Sequence, residues 1–226
     1  MAVRSRRAHL LILLVVLTCG TMAWIELVLR PVYPVKSALK LLLFGGTIGL
    51  YMLLARDRTP LGVFRPPSRR AMLPAAGLAA AVFGVILCGY ALLSPWLDLS
   101  AIPENLAAKE GVTAATFPLV ALYISLVNSL LEEVFFRGFA FLSLKATCPD
   151  PFPWLFSSLL FALYHVAIMG SWFHPILFFL LTAALAAAGG LFNWLDREGT
   201  VWPAWLVHMA ANLAINTIGL RLFDIL

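Results

Sequence analysis

The stretch "NSLLEEVFFRGF", Asn128–Phe139, sets two adjacent carboxylates and an arginine inside an apolar run. Charges in such a setting are costly wherever water is excluded. How this segment is read therefore decides the fold and points to the chemistry. Around it, 62% of the 226 residues are hydrophobic and only 12% are charged. A soluble domain of this size would need far more polar surface to cover its core. The composition is that of an integral membrane protein with almost nothing left for a soluble domain.

A membrane-crossing helix needs about 20 apolar residues. On that criterion the sequence predicts seven spans: His9–Leu29, Val35–Ala55, Ala71–Pro95, Thr113–Leu144, Phe152–Met169, Trp172–Leu195 and Val201–Phe223. Open backbone cannot face lipid, so runs this long are helices. The expected fold class is all-α, a multi-pass transmembrane bundle forming one membrane domain over 1–226. The fourth span, which holds the opening stretch, is overlong, and its end is expected to tilt or emerge. Gly45 with Gly49, and "AALAAAGG" in the sixth span, suit close helix packing.

The N-terminus has a basic start and the apolar run "HLLILLVVLTCG", as a signal peptide would. The run continues through "TMAWIELVL", so a retained first span is the better reading. Thr18 makes "VLTC" a poor lipoprotein cleavage site. Cys19, Cys88 and Cys148 are odd in number and far apart, which supports neither a disulfide framework nor a metal site. The net charge of +5 resides in "RSRR" and in the Arg56–Arg70 loop, a membrane-flank pattern and not a nucleic-acid footprint. With "WLDLSAIPENLAAKEG" acidic, the Lys and Arg bias puts the N-terminus in the cytoplasm. The expected location is the plasma (inner) membrane of a bacterium.

Few ionisable groups stand inside the spans: Glu26, Glu132, Glu133, Arg137, His165 and His208, with Asn128, Asn212 and Asn216 as polar neighbours. Glu26 is near the end of its span and is expected to reach the interface. On a helix, Glu133 and Arg137 are four apart with the acid first, so they share a face and can pair. Glu132 points about 100° away. The carboxylates thus divide into a neutralised Glu133 and an uncommitted Glu132, with Asn128 one turn earlier on the Glu132 face. "FALYH" carries His165, and "HMAAN" puts His208 and Asn212 on one face of the last span. Counted from the arginine-rich ends, Glu132 and His165 lie roughly 18 and 20 Å deep, and His208 and Asn212 roughly 10 and 16 Å deep. These depths allow one shared pocket on the cytoplasmic side of the midplane.

A free carboxylate, an imidazole and two further polar groups meet the needs of water-mediated amide hydrolysis. Glu132 can take a proton from water while His165 holds that water. His208 and the amide of Asn212 can serve the oxyanion. No GxSxG or HExxH is present, so neither a serine nucleophile nor the common zinc-protease helix is indicated. No cofactor is expected. The alternative is a divalent metal on Glu132, His165 and His208 with one position open, and direct glutamate chemistry is preferred.

"EEVFFR", "FALYH" and "HMAAN" follow one another as EExxxR, FxxxH and HxxxN, each on its own predicted span. In this the chain resembles the CPBP, or ABI, family of intramembrane endopeptidases, which includes the CAAX prenyl endopeptidases. The resemblance covers roughly Thr113 to Asn216, within a catalytic core taken as 113–222, and leaves the N-terminal spans of 1–112 outside it. It implies that Glu132 is the catalytic base and His165 its water-positioning partner. It also implies that His208 and Asn212 stabilise the oxyanion, with Glu133 and Arg137 supporting the site. The implied partners are a membrane-anchored protein or hydrophobic peptide substrate and the lipid bilayer, with no nucleic acid. Two other classes fit the sequence less well. A non-catalytic immunity or scaffold protein has no need of a free Glu132 beside two histidines. A proton-relaying transporter would show paired broken helices or repeat symmetry.

Overall fold

In a computed structural model, the structure describes residues 2–96, 99–169 and 175–226. Among them it is all-α, with no strand. The long helices are α1 (Ala2–Trp24), α2 (Tyr33–Ala55) and α3 (Arg69–Leu93). After the short α4 (Ala101–Asn105) come α5 (Phe117–Ser143), α6 (Phe152–Met169), α7 (Pro175–Leu195) and α8 (Trp202–Leu222).

Each expected span therefore has its helix. The first residues of the sixth span, from Trp172, lie outside the described residues, as do Leu97 and Asp98 of the acidic connection. Among the described residues five helical stretches are long and apolar enough to cross a membrane, Ser5–Leu29, Tyr33–Ala55, Arg69–Trp96, Phe117–Ser143 and Phe178–Leu195, so α8 in the last expected span is not one of them. Phe152–Ala167 is apolar but shorter.

Local sequence explains the ends. Ser68 opens α3, its hydroxyl accepting from the Ala71 amide at 3.1 Å and satisfying one of the orphan donors of the first turn. Arg56 ends α2 in the left-handed region at φ 48°. Within α5, Ile124–Asn128 and Glu133–Ser143 are wound as wider π turns. Such turns depart from ideal α geometry and occur frequently at functional sites.

Leu42, Leu53, Leu73, Val85, Leu119 and Phe179 point outwards, while Phe44, Phe135, Phe136, Phe139, Phe161 and Tyr164 fill the interior. Phe44 stacks on Phe135 at 3.9 Å between ring centroids. Lipid is as apolar as leucine, so close packing and polar contacts, not the hydrophobic effect, select these interfaces. Gly189 of α7 is one such contact, since a Cβ there would stand 2.9 Å from Ser158 Cα on α6. Gly45 and Gly49 have open space where a Cβ would go, so the packing expected of them is not found.

The arginine-rich end is closed by the 3₁₀ turn Thr59–Phe64. Val63 sits under Gly138, and its carbonyl accepts from the Val201 amide at 3.1 Å. Thr200 and Trp202 hydrogen-bond to the carbonyls of Arg65 and Phe64.

Candidate active site

The opening stretch of α5 sits at the centre of the bundle. Glu132, Glu133 and Arg137 are all buried, the last two completely. Arg137 Nε lies 3.2 Å from Glu133 Oε2, an ionic contact in which the N–H is not aimed at the oxygen. The wider turn thus still brings the two together. The guanidinium is sandwiched between Phe161 and Phe192, at 4.1 and 4.8 Å from the ring centroids, where the ring faces offer it partial negative charge.

Glu133 does more than balance Arg137. Its Oε1 accepts from His208 Nδ1 at 2.7 Å, so one carboxylate joins the arginine to the histidine of α8. A carboxylate only accepts, so the His208 proton sits on Nδ1 and its Nε2 faces Glu132. His165 is fixed the same way: its Nδ1 donates to the Phe161 carbonyl at 2.8 Å. The spacing of "FALYH" thus has a local cause, because the fourth residue on reaches back to the carbonyl of the first.

Both Nε2 atoms stand 3.7 Å from the same oxygen, Glu132 Oε2. That is too far for a direct hydrogen bond, and Oε2 is buried with no hydrogen-bond partner. The other oxygen is fully engaged. Asn128 Nδ2 donates to Oε1 at 3.1 Å, and the Lys40 ammonium of α2 contacts it directly. Lys40 also donates to Asn128 Oδ1 at 2.7 Å. Sequence reasoning did not single out Lys40, which lies in a segment outside the three motifs.

These groups line a cavity of about 250 Å³, just under the roughly 300–1,000 Å³ of typical ligand clefts. Glu132, His165, His208 and Asn212 are all on its wall. Glu133 and Arg137 are not, and stand behind His208. Asn212 donates to the Ile124 carbonyl only at 3.4 Å, which leaves its amide largely available. Asn216 lies elsewhere, tied to the Ala121 carbonyl at 3.1 Å and Ser125 Oγ at 3.0 Å.

The mouth of the cavity is formed by Glu26, Tyr33, Lys36, Leu106 and Glu110, at the end of the bundle away from the arginine-rich loop. Glu26, near the end of its span, pairs with Lys36 at 2.6 Å, and Lys36 also reaches Glu110 at 2.8 Å. Towards the opposite end the way is filled by the buried Phe135, Phe136 and Phe139.

Comparison with known proteins fits this geometry. No curated protein and no solved structure matches the chain. A family model described as type II CAAX prenyl endopeptidase Rce1-like matches residues 114–214, the segment that carries all three motifs. The match spans a little under half of the chain, and over that segment the chain is similar to the CAAX protease-like family.

Proposed function

We propose that the protein is an intramembrane endopeptidase of the glutamic type. It hydrolyses a peptide bond near the membrane-proximal or C-terminal part of a membrane-anchored protein or hydrophobic peptide. The observation that carries this reading is Glu132 Oε2: a buried, unpartnered carboxylate oxygen facing two imidazole nitrogens at 3.7 Å each. One water fits between such groups, donating one proton to Oε2 and the other to the His165 nitrogen.

In the reaction Glu132 takes the first proton as the water oxygen bonds to the scissile carbonyl carbon. The oxyanion that forms is met by the Asn212 amide and by His208. His208 can donate from Nε2 only when its ring carries both protons, and the Glu133 carboxylate on Nδ1 supports that charge. The intermediate collapses with cleavage of the C–N bond, and the departing amine takes the proton from Glu132. Arg137 acts through Glu133 and touches no substrate.

The metal alternative fits less well. Among the described residues no group of three His, Cys, Asp or Glu has metal-binding spacing. Glu132, which would be the third ligand, already carries the Lys40 ammonium. The distribution of Lys and Arg puts the arginine-rich end in the cytoplasm, so the cavity mouth opens on the opposite face of the membrane.

The test uses the full chain in detergent with panels of membrane-anchored peptides, prenylated CAAX-type peptides among them. Glu132→Gln keeps an acceptor for Lys40 but loses the base, and turnover should vanish while the protein stays folded. Glu132→Asp keeps the charge but retracts it, and should retain about 1% of the rate, since misplacement by 1 Å costs about 10²-fold. Full activity in Glu132→Gln would end the mechanism. A strong chelator should leave the parent rate unchanged, and reversible inhibition would restore the metal reading.

A further inference from the structure

Lys40 comes from α2, touches Glu132 directly and lies outside the matched segment 114–214. A lysine is rarely buried unless paired, and this side chain is only 8% exposed. Its ammonium is also 5.0 Å from the Tyr164 ring centroid and 5.4 Å from that of Phe44. Replacing a buried ion pair by apolar residues is often neutral or stabilising, so stability alone gives weak reason to keep one here. Its placement is more telling. Lys40 and Asn128 hydrogen-bond to each other and both bind Oε1 of Glu132, while Oε2 receives no hydrogen bond. The two oxygens of one carboxylate are thus given different tasks.

We propose that Lys40 is a positioning residue of the hydrolytic site: with Asn128 it clamps Glu132 Oε1, and so fixes Oε2 as the oxygen that faces the histidines and receives the proton from water. The proposal rests on the glutamate mechanism above and adds to it which atom is the base and what holds it there. The clamp also supplies the countercharge that an otherwise free carboxylate would lack beside two imidazoles. Through it the N-terminal helices become part of the active site, although the three motifs all lie on later helices. When Glu132 is protonated in the reaction, Lys40 keeps its bond to Oε1, because a protonated carboxyl still presents an acceptor there. The carboxyl therefore stays aimed at the departing amine.

Two measurements on the full chain decide the matter. The first needs no substrate: thermal unfolding of Lys40→Met, Glu132→Leu, which removes both carboxylate oxygens, and the double variant in the same detergent. The clamp requires non-additivity, with the double variant melting above the sum of the two single losses; additive losses would overturn it. The second uses any peptide cleaved by the parent. Lys40→Ala should lose about 100-fold in kcat with KM changed less than threefold, Lys40→Arg should recover part of the rate, and added ethylamine should restore about tenfold to Lys40→Ala. A purely structural lysine would show neither the kcat selectivity nor the amine rescue, and unchanged kcat in Lys40→Met would refute the proposal. If the parent cleaves nothing, the peptidase reading fails by itself, while the unfolding cycle still reports on the clamp.

Discussion

Replacing Glu133 by glutamine separates the two adjacent carboxylates most sharply. The change is nearly isosteric, removes one charge and leaves the cavity wall intact. Arg137 then keeps its place between Phe161 and Phe192 but loses the one ion pair it makes among the described residues, and none of its three nitrogens has a hydrogen-bond partner there to fall back on. Removing one partner of a buried pair costs about 3–5 kcal/mol. Both residues are fully buried, so solvent does not screen that cost. For a chain of this length about 1 kcal/mol corresponds to a shift of roughly 2–4 °C in Tm, so Glu133→Gln should melt roughly 6–20 °C below the parent by the same relation. Its kcat should fall as well, because His208 loses the carboxylate on Nδ1 that lets Nε2 act as a donor, while KM stays near the parent value. The assay is scanning fluorimetry in detergent beside turnover at a temperature where both proteins are folded. A Tm within 2 °C of the parent, an outcome far below the range expected for a buried pair, would refute the assignment of Glu133 as the link between Arg137 and His208.

Gly189→Ala should destabilise by about 1–3 kcal/mol through overpacking against Ser158, whereas Gly45→Ala, with open space at its Cβ, should be neutral or slightly stabilising; chemical denaturation of both variants checks the contrast. Asp57, in the loop after α2, loses solvation by partial burial, but the hydroxyl and amide of Thr59, with Arg7 and Tyr51, outweigh this and hold its carboxyl below the usual value. A depressed carboxylate contributes stability above its unfolded pKa and loses it as pH falls through the folded one, so Asp57→Asn should lower Tm at pH 7 and have little effect in strong acid. In a cysteine-free background, Glu110→Cys should react with a membrane-impermeant maleimide on intact cells and Arg58→Cys only after lysis; the reverse pattern would invert the proposed orientation.

Much of this arrangement is legible in the chain because it depends on periodicity within single helices. The division of Glu132 from Glu133 needs only the angular spacing of α5, and the seven helices need only the length of the apolar runs. What eludes sequence reasoning depends on which helix stands beside which. Lys40 reads as one of the cations that flank a membrane span, a few residues into α2, where long side chains usually snorkel to water. Only the packing of α2 against α5 turns it inward. The signal available was its spacing: Lys40 comes one turn after Lys36, which places a second cation on the same face, deeper in the span. The bond from Glu133 to His208 is likewise invisible, since it joins positions 75 apart. The ion pair of Glu26 is invisible for the same reason, because its partner Lys36 lies on the next helix. Gly45 and Gly49 show that small residues at helical spacing are compatible with a close interface without specifying one, whereas Gly189 actually meets a neighbouring backbone.

The packed floor beneath Glu132 governs traffic as well as chemistry. Val63, Gly138 and the buried phenylalanines of α5 block passage towards the arginine-rich end, while Lys36, Glu26 and Glu110 frame the other. On the proposed peptidase reading, a chain drawn into this cavity cannot be threaded through it. The fragment on the cavity side has to back out past the groups that admitted it, so entry and exit compete for one doorway. Turnover of the proposed peptidase would then depend on how quickly that fragment lets go, and a slow-leaving fragment would act as its own competitive inhibitor.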